Sequence, residues 1–133
     1  MGEGTPRIVL IGAGRVASHL SKALRDCGMS PLEVGGRKRV APIPDDADIY
    51  LIAVTDTAIA QVAEEIGDVN GLVVHTAGSV ALDVLPQRRR GVMYPMQTFS
   101  KERDVDMSRV PFFVESDTDL DPLLQLADRK SVV

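Results

Sequence analysis

The residues most clearly suited to chemistry lie near the start of the chain, in the stretch IVLIGAGRVA. Gly12, Gly14 and Ala17 follow the pattern G-x-G-x-x-A, directly after a short β-branched run and before a segment with helical periodicity. In a strand–turn–helix of this kind the first glycine permits the tight turn and the second lets the backbone approach a pyrophosphate, while the helix N-terminus offers N–H groups to the anion. The pattern predicts a dinucleotide-binding loop, against the alternative that the glycines serve only the turn. The predicted contacts are Gly12, Ala13, Gly14, Arg15 and Val16.

The end of the second predicted strand indicates which dinucleotide binds. NAD sites usually carry an acidic residue there, about 20 residues after the glycine loop, to hold the ribose hydroxyls. This chain instead reads VGGRKR over residues 34–39, and Glu33 precedes the strand end, where we expect it to face solvent or a neighbouring helix. Glycine in place of the acid, followed by Arg37 and Lys38, favours the 2′-phosphate of NADP. NADP is therefore the predicted cofactor, and NAD is the less favoured alternative.

Short apolar strands alternate with helical stripes along the chain. That alternation predicts an α/β fold class, a doubly wound parallel sheet of Rossmann-like type in a single domain. Only VAPIPD separates the basic cluster from the third strand, where a crossover helix is usual. The sequence therefore predicts a shortened crossover after the second strand, or an unusual relation between the second and third strands. Strands are predicted at 7–11, 32–35, 48–54, 71–76, 91–95 and 111–115, and helices after the glycine loop, from Asp56 to Gly67 and from Asp119. The spacing in the last helix predicts an apolar, buried side formed by Leu120, Leu123, Leu124 and Ala127.

Small and polar residues follow the fourth predicted strand, in the stretch HTAGS. Ligands of open α/β sheets bind at the carboxyl ends of the strands, so His75, Thr76 and Ser79 are candidates for hydrogen bonds to a ligand. The alternatives are a buried histidine with satisfied hydrogen bonds and a serine that caps the next helix. Asp56, after the third strand, is predicted to cap the helix that follows it.

Composition and charge limit the possible partners. Lys and Arg number 15 and Asp and Glu 19, and the net charge of −4 argues against a nucleic-acid partner. No apolar run approaches the length of a membrane span, so no membrane partner is expected and the chain is predicted to be cytoplasmic. The single Cys27 excludes an internal disulfide and argues against a metal site; it falls on the apolar stripe of the first helix, which predicts burial. A second basic cluster, QRRR at 87–90, is expected to be solvated surface charge.

Four blocks resemble the N-terminal half of one bacterial family. They read GAGRVASHLSKAL, DADIYLIAVTDTAIAQVA, LVVHTAGSVALDVL and GVMYPMQTFSK. The family consists of Rossmann-like candidate oxidoreductases that carry a second, helical domain of unknown function, and it is similar to pyrroline-5-carboxylate reductase and the deazaflavin-dependent NADP reductases. The resemblance covers nearly the whole chain, from Arg7 to about Ala127. The chain departs from it at Arg15, where the family usually has Asn, and in the missing crossover helix, a region that normally forms one wall of the adenine pocket in the family.

The resemblance implies roles for further residues. Ala53, Val54 and Thr55 would lie near the ribose and nicotinamide end of the cofactor. Tyr94 stands where the related prephenate dehydrogenases have a catalytic histidine, so its phenol either orients or protonates a substrate or simply packs. We expect the catalytic groups to come from His75, Tyr94 and Ser79, and the substrate contacts from Thr76 and Gln97.

The end of the chain raises a question of completeness. DRKSVV breaks the leucine pattern of the last helix, and it matches a common sequencing adapter read in frame. We therefore expect residues 1–127 to form the NADP-binding domain and residues 128–133 to be a non-native tail. The helical second domain of the family is absent from the sequence, and a homodimer is expected only when that domain is present.

These observations support three hypotheses about function. The first is the cofactor domain of an NADP-dependent oxidoreductase that acts on a small carbonyl or imine substrate and is inactive or weakly active alone. The second is a non-catalytic NADP-binding or sensor module. The third, an S-adenosylmethionine-binding domain, is weaker because that cofactor calls for an acidic residue after the second strand, where this chain has Gly36 and Arg37.

Overall fold

The computed structural model describes residues 6–96 and 110–130, with side chains as far as Ala127. The elements alternate between strands and helices, as the hydrophobic pattern predicts. The strands are β1 (Ile8–Ile11), β2 (Leu32–Glu33), β3 (Ile49–Ile52), β4 (Leu72–His75), β5 (Arg90–Pro95) and β6 (Phe112–Glu115). The helices are α1 (Arg15–Asp26), α2 (Ile59–Ile66) and α3 (Leu120–Lys130), and short 3-10 turns cover Asp56–Ala58 and Leu82–Val84.

The six strands form one sheet in the order β2-β1-β3-β4-β5-β6. The first five are parallel, and β6 runs antiparallel to β5. The doubly wound, Rossmann-like α/β fold predicted from the sequence is therefore confirmed, with one difference: the sixth strand closes the edge in the reverse direction. An antiparallel neighbour needs no crossover helix.

The connection from β2 to β3 passes over β1 without a helix, which confirms the shortened crossover. Two hydrogen bonds of Tyr50 fix this segment to the sheet. The buried Tyr50 hydroxyl donates to the carbonyl oxygen of Pro44 at 2.7 Å and accepts from the N–H of Ala47 at 3.2 Å. A side chain on Gly71 would come 2.3 Å from the Ala47 carbonyl oxygen, so β4 begins in direct contact with the same segment. Side-chain hydrogen bonds and close backbone contact thus replace the missing helix.

Two hydrophobic layers cover the two faces of the sheet. Helices α1 and α3 pack on one face against residues such as Leu10 and Leu51, and α2 packs on the other face against Ile11 and Ile52. Every residue of β1, β3 and β4 is buried, as expected for strands of a parallel sheet covered on both sides. No helix within the described ranges is long and apolar enough to cross a bilayer.

Two predictions about helix faces are wrong. Cys27 is exposed, because α1 ends at Asp26 and Cys27 is already its C-cap, followed by Gly28 at φ 85°. Leu120 and Leu124 of α3 are each 42% exposed, although the leucine spacing placed them on the buried side. The buried residues of α3 are instead Leu123, Leu126 and Ala127. In both cases the helical period gave the spacing of the apolar residues but not which of them are buried against the sheet.

Candidate dinucleotide-binding site

The carboxyl ends of the parallel strands bring most of the predicted site residues to one edge of the sheet. The loop after β1, the turn after β2 and the segments after β3, β4 and β5 all leave the sheet on this side, since the five strands run in the same direction. The start of β6 lies there too, because β6 is antiparallel. Open α/β sheets bind their ligands at this edge.

Gly12 makes the tight turn between β1 and α1. Its φ of 148° is rare for a residue with a side chain, and a Cβ there would lie 2.1 Å from the carbonyl oxygen of Ala53. Its N–H donates to the Gly35 carbonyl oxygen at 3.0 Å, which fixes the loop against the turn after β2. Ala17, 3% exposed, lets α1 approach the sheet closely. The protein's own packing therefore requires glycine at this first position.

Gly14 is different, because no protein atom requires it to be glycine. It has ordinary extended backbone at the N-cap of α1, and a Cβ built there meets nothing within 4 Å. The first helical hydrogen bond runs from the Ser18 N–H to the Gly14 carbonyl oxygen at 2.9 Å, and no side chain caps the helix. The N–H groups of the first turn thus have no side-chain cap, and neither Arg15 nor Val16 is buried. This arrangement fits a pyrophosphate.

The turn after β2 lies directly against this loop. A Cβ on Gly36 would come 3.1 Å from the Ala13 backbone nitrogen, and Gly35 takes a φ of 88° that brings the chain back toward Arg39. Arg37 and Lys38 are exposed at the tip of the turn, and neither side chain bonds to another described residue. The turn that carries these two exposed cations therefore lies against the glycine loop.

The third basic residue of the cluster is already engaged. The guanidinium of Arg39 donates to the Gly36 carbonyl oxygen and pairs with the Glu65 carboxylate on α2. Both contacts close the turn and tie it to the helix on the opposite face of the sheet. Arg39 therefore shapes the turn, and Arg37 and Lys38 remain the cations that can meet a ligand.

Glu33, in the wall of the groove beside the glycine loop, is engaged with α1. Its carboxylate accepts from the hydroxyl of Ser21 at 2.8 Å and pairs with the guanidinium of Arg25, both on α1. Those hydrogen bonds, that of Arg25 first, lower the pKa of Glu33. The carboxylate faces the neighbouring helix, one of the two predicted orientations, but Glu33 is the last residue of β2, which ends before the predicted Gly35.

The segment after β3 forms the next wall of the site. Ala53 is buried, and its N–H donates to the Ile11 carbonyl oxygen at 2.7 Å, so the end of β3 stays paired with β1 beside Gly12. Val54 is half-buried, and Thr55 is exposed before the 3-10 turn that leads into α2. These three residues lie beside the glycine loop, and their contact with a cofactor remains a prediction.

His75 lies at the end of β4 and is fully buried. Its Nε2 bonds to the Ala81 carbonyl oxygen at 3.1 Å, and its Nδ1 accepts from the Ala77 N–H at 3.1 Å. This pattern requires the neutral ring with the proton on Nε2. Burial lowers the pKa of His75, against opposing contributions from its backbone hydrogen bonds and from Asp56. Both ring nitrogens are engaged with the backbone, which gives His75 a role in shaping the loop; a catalytic role remains a prediction.

Thr76 and Ser79 continue the loop after β4. The Thr76 hydroxyl donates to the Ile52 carbonyl oxygen at 3.0 Å, so it extends the pairing of β3 with β4. Ser79 is exposed, and its Oγ donates to Oδ2 of Asp56 at 2.7 Å.

Neither Thr76 nor Ser79 caps a helix. The 3-10 turn after this loop has Ala81 at its N-cap, and the 3-10 turn after β3 has Thr55 at its N-cap. The expected capping role of Asp56 is wrong, and sequence reasoning missed its contact with Ser79.

Tyr94 packs between Gly78 and Phe113 near the end of β5. A Cβ on Gly78 would lie 2.9 Å from the ring, and the ring centroids of Tyr94 and Phe113 are 5.1 Å apart. The ring is partly exposed, and its hydroxyl bonds to no other residue in the described ranges. Met96, next to it, is 59% exposed. Gln97, the predicted substrate contact, lies outside the described residues.

A groove of about 540 Å³ borders the glycine loop on the outer side of α1. Gly12 and Ala13 form one end, Gly35 and Val40 form the wall opposite the helix, and the polar face of α1 forms the rest. Its acidic and basic side chains largely pair with one another, as Arg25 does with Glu33. The groove therefore adds space beside the glycine loop, and the charged side chains in its wall are largely paired with one another.

The second basic cluster, at 87–90, has no connection with this site. Arg89 pairs with Asp119 at 3.0 Å and Arg90 with Asp117 at 2.8 Å, in the segment that leads into α3. The hydrogen bond from Arg90 lowers the pKa of Asp117. These arginines hold α3 to the sheet.

Comparison with known proteins shows the same architecture in dinucleotide-dependent enzymes. No protein-family model and no curated protein sequence matches the chain. The structure is similar to that of a candidate NADP oxidoreductase from Bacteroides fragilis, with 33% identity over 96% of this chain and 58% of that one, and a TM-score of 0.79. The chain thus spans less than two thirds of that neighbour.

Two more distant structures carry a bound dinucleotide. Prephenate dehydrogenase from A. aeolicus, in complex with hydroxyphenyl propionate and NAD+, has a TM-score of 0.74 at 14% identity over 98% of this chain and 59% of its own. An imine reductase variant from Myxococcus stipitatus, in complex with NAD+, has a TM-score of 0.66 at 15% identity over 96% of this chain and 53% of its own. At these identities the two structures establish the fold alone. The structural neighbours are NAD- or NADP-dependent oxidoreductases of Rossmann-like fold, which supports a dinucleotide-binding domain.

Proposed function

We propose that this chain is the NADP-binding domain of an oxidoreductase that acts on a small C=O or C=N substrate. The observation that carries the proposal is the open space at Gly14, at the uncapped first turn of α1, together with the exposed Arg37 and Lys38 on the turn whose Gly36 packs against Ala13. A pyrophosphate satisfies the N–H groups of that turn, and a 2′-phosphate satisfies the two cations. The similarity to a candidate NADP oxidoreductase supports the same cofactor.

The residues of the chain have distinct tasks in this function. The backbone of the glycine loop holds the pyrophosphate, and the turn after β2 holds the adenosine end. Ala53, Val54 and Thr55 line the path toward the strand ends after β4 and β5. When bound, the nicotinamide supplies or accepts the hydride, while the protein binds and orients both reactants. Tyr94, whose hydroxyl bonds to no described residue, is proposed as the group that orients or protonates the substrate.

The second candidate is a module that binds NADP without catalysis. It is favoured by the state of His75, since both ring nitrogens bond to the backbone and the ring is buried. Turnover separates the two candidates. Oxidation of NADPH by any carbonyl or imine compound, lost in Tyr94→Phe with the cofactor affinity retained, supports the oxidoreductase.

Cofactor titration tests the binding site itself. Arg37→Ala is expected to weaken NADPH binding by about 1.5–3 kcal/mol, the range for a charge-assisted hydrogen bond, and to change NADH binding little. Arg88→Ala is the matched control, because Arg88 is an exposed arginine beside Asp68, away from the glycine loop. Equal losses for both cofactors in Arg37→Ala would contradict the assignment of NADP.

A further inference from the structure

We propose that Asp56 and Ser79 form a binding site for a cationic nitrogen, so that the substrate is a small amine or protonated imine. The proposal rests on the function proposed above, because it names the substrate class for the same edge of the sheet. It excludes carboxylic acids and gives no advantage to neutral carbonyl compounds.

The Asp56–Ser79 pair lies at the edge of the sheet formed by the carboxyl ends of the parallel strands. Asp56 begins the 3-10 turn after β3, and Ser79 lies in the loop after the neighbouring strand β4. The Ser79 hydroxyl donates to Oδ2 of Asp56 at 2.7 Å, and both side chains are exposed. Ala53, three residues before Asp56 in the sequence, is in close backbone contact with Gly12. The Asp56–Ser79 pair therefore lies on the same edge of the sheet as the glycine loop.

The charge of Asp56 is uncompensated by the described residues. Its partner is a neutral hydroxyl, and no arginine or lysine of the described ranges forms an ion pair with it. The ring of His75 has the hydrogen-bond pattern of the neutral form, with Nε2 on the Ala81 carbonyl oxygen and Nδ1 accepting from the Ala77 N–H. In the described ranges seven acidic residues pair with basic side chains, whereas Asp56 and six others, Asp121 among them, form no ion pair. A positive group on the ligand is therefore the chemical complement of Asp56.

An aromatic surface adjoins the loop that carries Ser79. Gly78, the residue before Ser79, lies against the Tyr94 ring, which in turn packs on Phe113. Phe113 is 39% exposed and Met96 is 59% exposed. A carboxylate next to partly exposed aromatic and apolar side chains binds a cation that carries an apolar substituent, since rings and carboxylate both attract positive charge.

A purely structural role for the pair is the competing explanation, because the hydrogen bond joins two loops. Two variants separate the explanations. Asp56→Asn keeps an oxygen that can accept from Ser79 but removes the charge, whereas Ser79→Ala removes the hydrogen bond and keeps the charge. Asp121→Asn removes one carboxylate at an exposed position of α3 and controls for net charge.

The experiment compares three probes of similar shape: benzylamine, benzyl alcohol and benzoate. Each is titrated into the full 133-residue, ¹⁵N-labelled chain, with and without saturating NADP+, and affinity is read from amide shifts in the loops that carry Asp56 and Ser79. Benzylamine is expected to bind about tenfold more tightly than benzyl alcohol, and benzoate more weakly than either. Asp56→Asn should remove the preference for the amine. Ser79→Ala, which loses one half of the site, should weaken benzylamine binding while keeping part of the preference, and Asp121→Asn should leave both the affinity and the preference unchanged.

Three results would overturn the proposal: equal affinity for benzylamine and benzyl alcohol, a preference that survives in Asp56→Asn, or no shift with any probe. Titration of the wild-type chain with NADPH tests the proposed function separately. If NADPH fails to bind, the proposed function is wrong, while the amine preference measured without cofactor still decides the role of Asp56. If NADPH binds and the amine preference is absent, only the assignment of the substrate class fails.

Discussion

The Tyr50 hydroxyl lies 2.7 Å from the carbonyl oxygen of Pro44, at the bottom of the helix-free crossover between β2 and β3. Tyr50 is fully buried, and the same hydroxyl accepts from the Ala47 N–H. Burial raises the pKa of Tyr50, so the phenol stays protonated and remains a donor. One side chain of the central sheet therefore satisfies two backbone groups of a segment that has no helix to satisfy them.

Tyr50→Phe tests this relationship. The substitution preserves the ring and leaves two backbone groups without a partner, so we expect the free energy of unfolding to fall by about 1–3 kcal/mol. Urea denaturation followed by circular dichroism measures the change. Tyr94→Phe is the matched control, because the Tyr94 hydroxyl bonds to no described residue, and its stability should stay within about 0.5 kcal/mol of wild type. A similar loss in both variants would count against the role of Tyr50.

Gly12→Ala and Gly14→Ala separate the two tasks of the glycine loop. An alanine at position 12 meets the Ala53 carbonyl oxygen at 2.1 Å with a φ of 148°, so we expect severe destabilisation or failure to fold. An alanine at position 14 meets no protein atom within 4 Å, and stability should fall by less than about 1 kcal/mol.

Affinity for NADPH distinguishes the second glycine. The methyl group of Gly14→Ala occupies the space proposed for the pyrophosphate, so NADPH binding should weaken by at least about tenfold while the protein remains folded. Fluorescence titration with NADPH, alongside thermal unfolding, checks both properties on the same sample. Unchanged affinity in a folded Gly14→Ala protein would show that the glycine serves only the turn.

His75 makes stability depend on pH. Burial lowers the pKa of the folded-state ring below its ordinary 6.5, so the unfolded chain takes up a proton first as the pH falls. Stability should be fully present above about pH 6.5 and should decline on acidification until the folded-state pKa is reached. Between pH 7.5 and 5.5 the decline from this ring is at most about 1.4 kcal/mol.

Chemical denaturation at several pH values measures this effect. His75→Gln removes the titrating ring, so its stability should vary less with pH than that of the wild type over the same range. Asp56 and Glu115 raise the pKa of His75 and so reduce the effect, which predicts a slightly steeper pH dependence in Asp56→Asn. Parallel curves for wild type and His75→Gln would mean that the ring is not held neutral.

Gln87 offers a test of helix termination. Its buried amide nitrogen donates to the carbonyl oxygens of Ala63 and Gly67, at 2.8 and 3.0 Å, at the C-terminus of α2. The Oε1 atom of Gln87 has no hydrogen-bond partner among the described residues. Gln87→Glu replaces the donor with a second acceptor facing those carbonyl oxygens. We expect a loss of more than about 2 kcal/mol in unfolding free energy, against a smaller loss in Gln87→Met, which removes the donor without adding an acceptor.

The sequence by itself determined the fold class, the glycine loop and the shortened crossover. These features depend on local rules: continuous apolar runs for buried parallel strands, a glycine pattern between strand and helix, and too few residues between β2 and β3 for a helix. The exposure of Arg37 and Lys38 beside the loop also follows from the position of the basic cluster at a strand end.

Only the tertiary structure decided which side chains meet across the strand ends. Asp56 and Ser79 are 23 positions apart, and their hydrogen bond exists because β3 and β4 are neighbours in register. The reversal of β6, the exposure of Leu120 and Leu124, and the capture of both His75 nitrogens by the backbone likewise depend on packing between distant segments. Periodicity gives the repeat of an element, while the direction it faces is set by what it packs against.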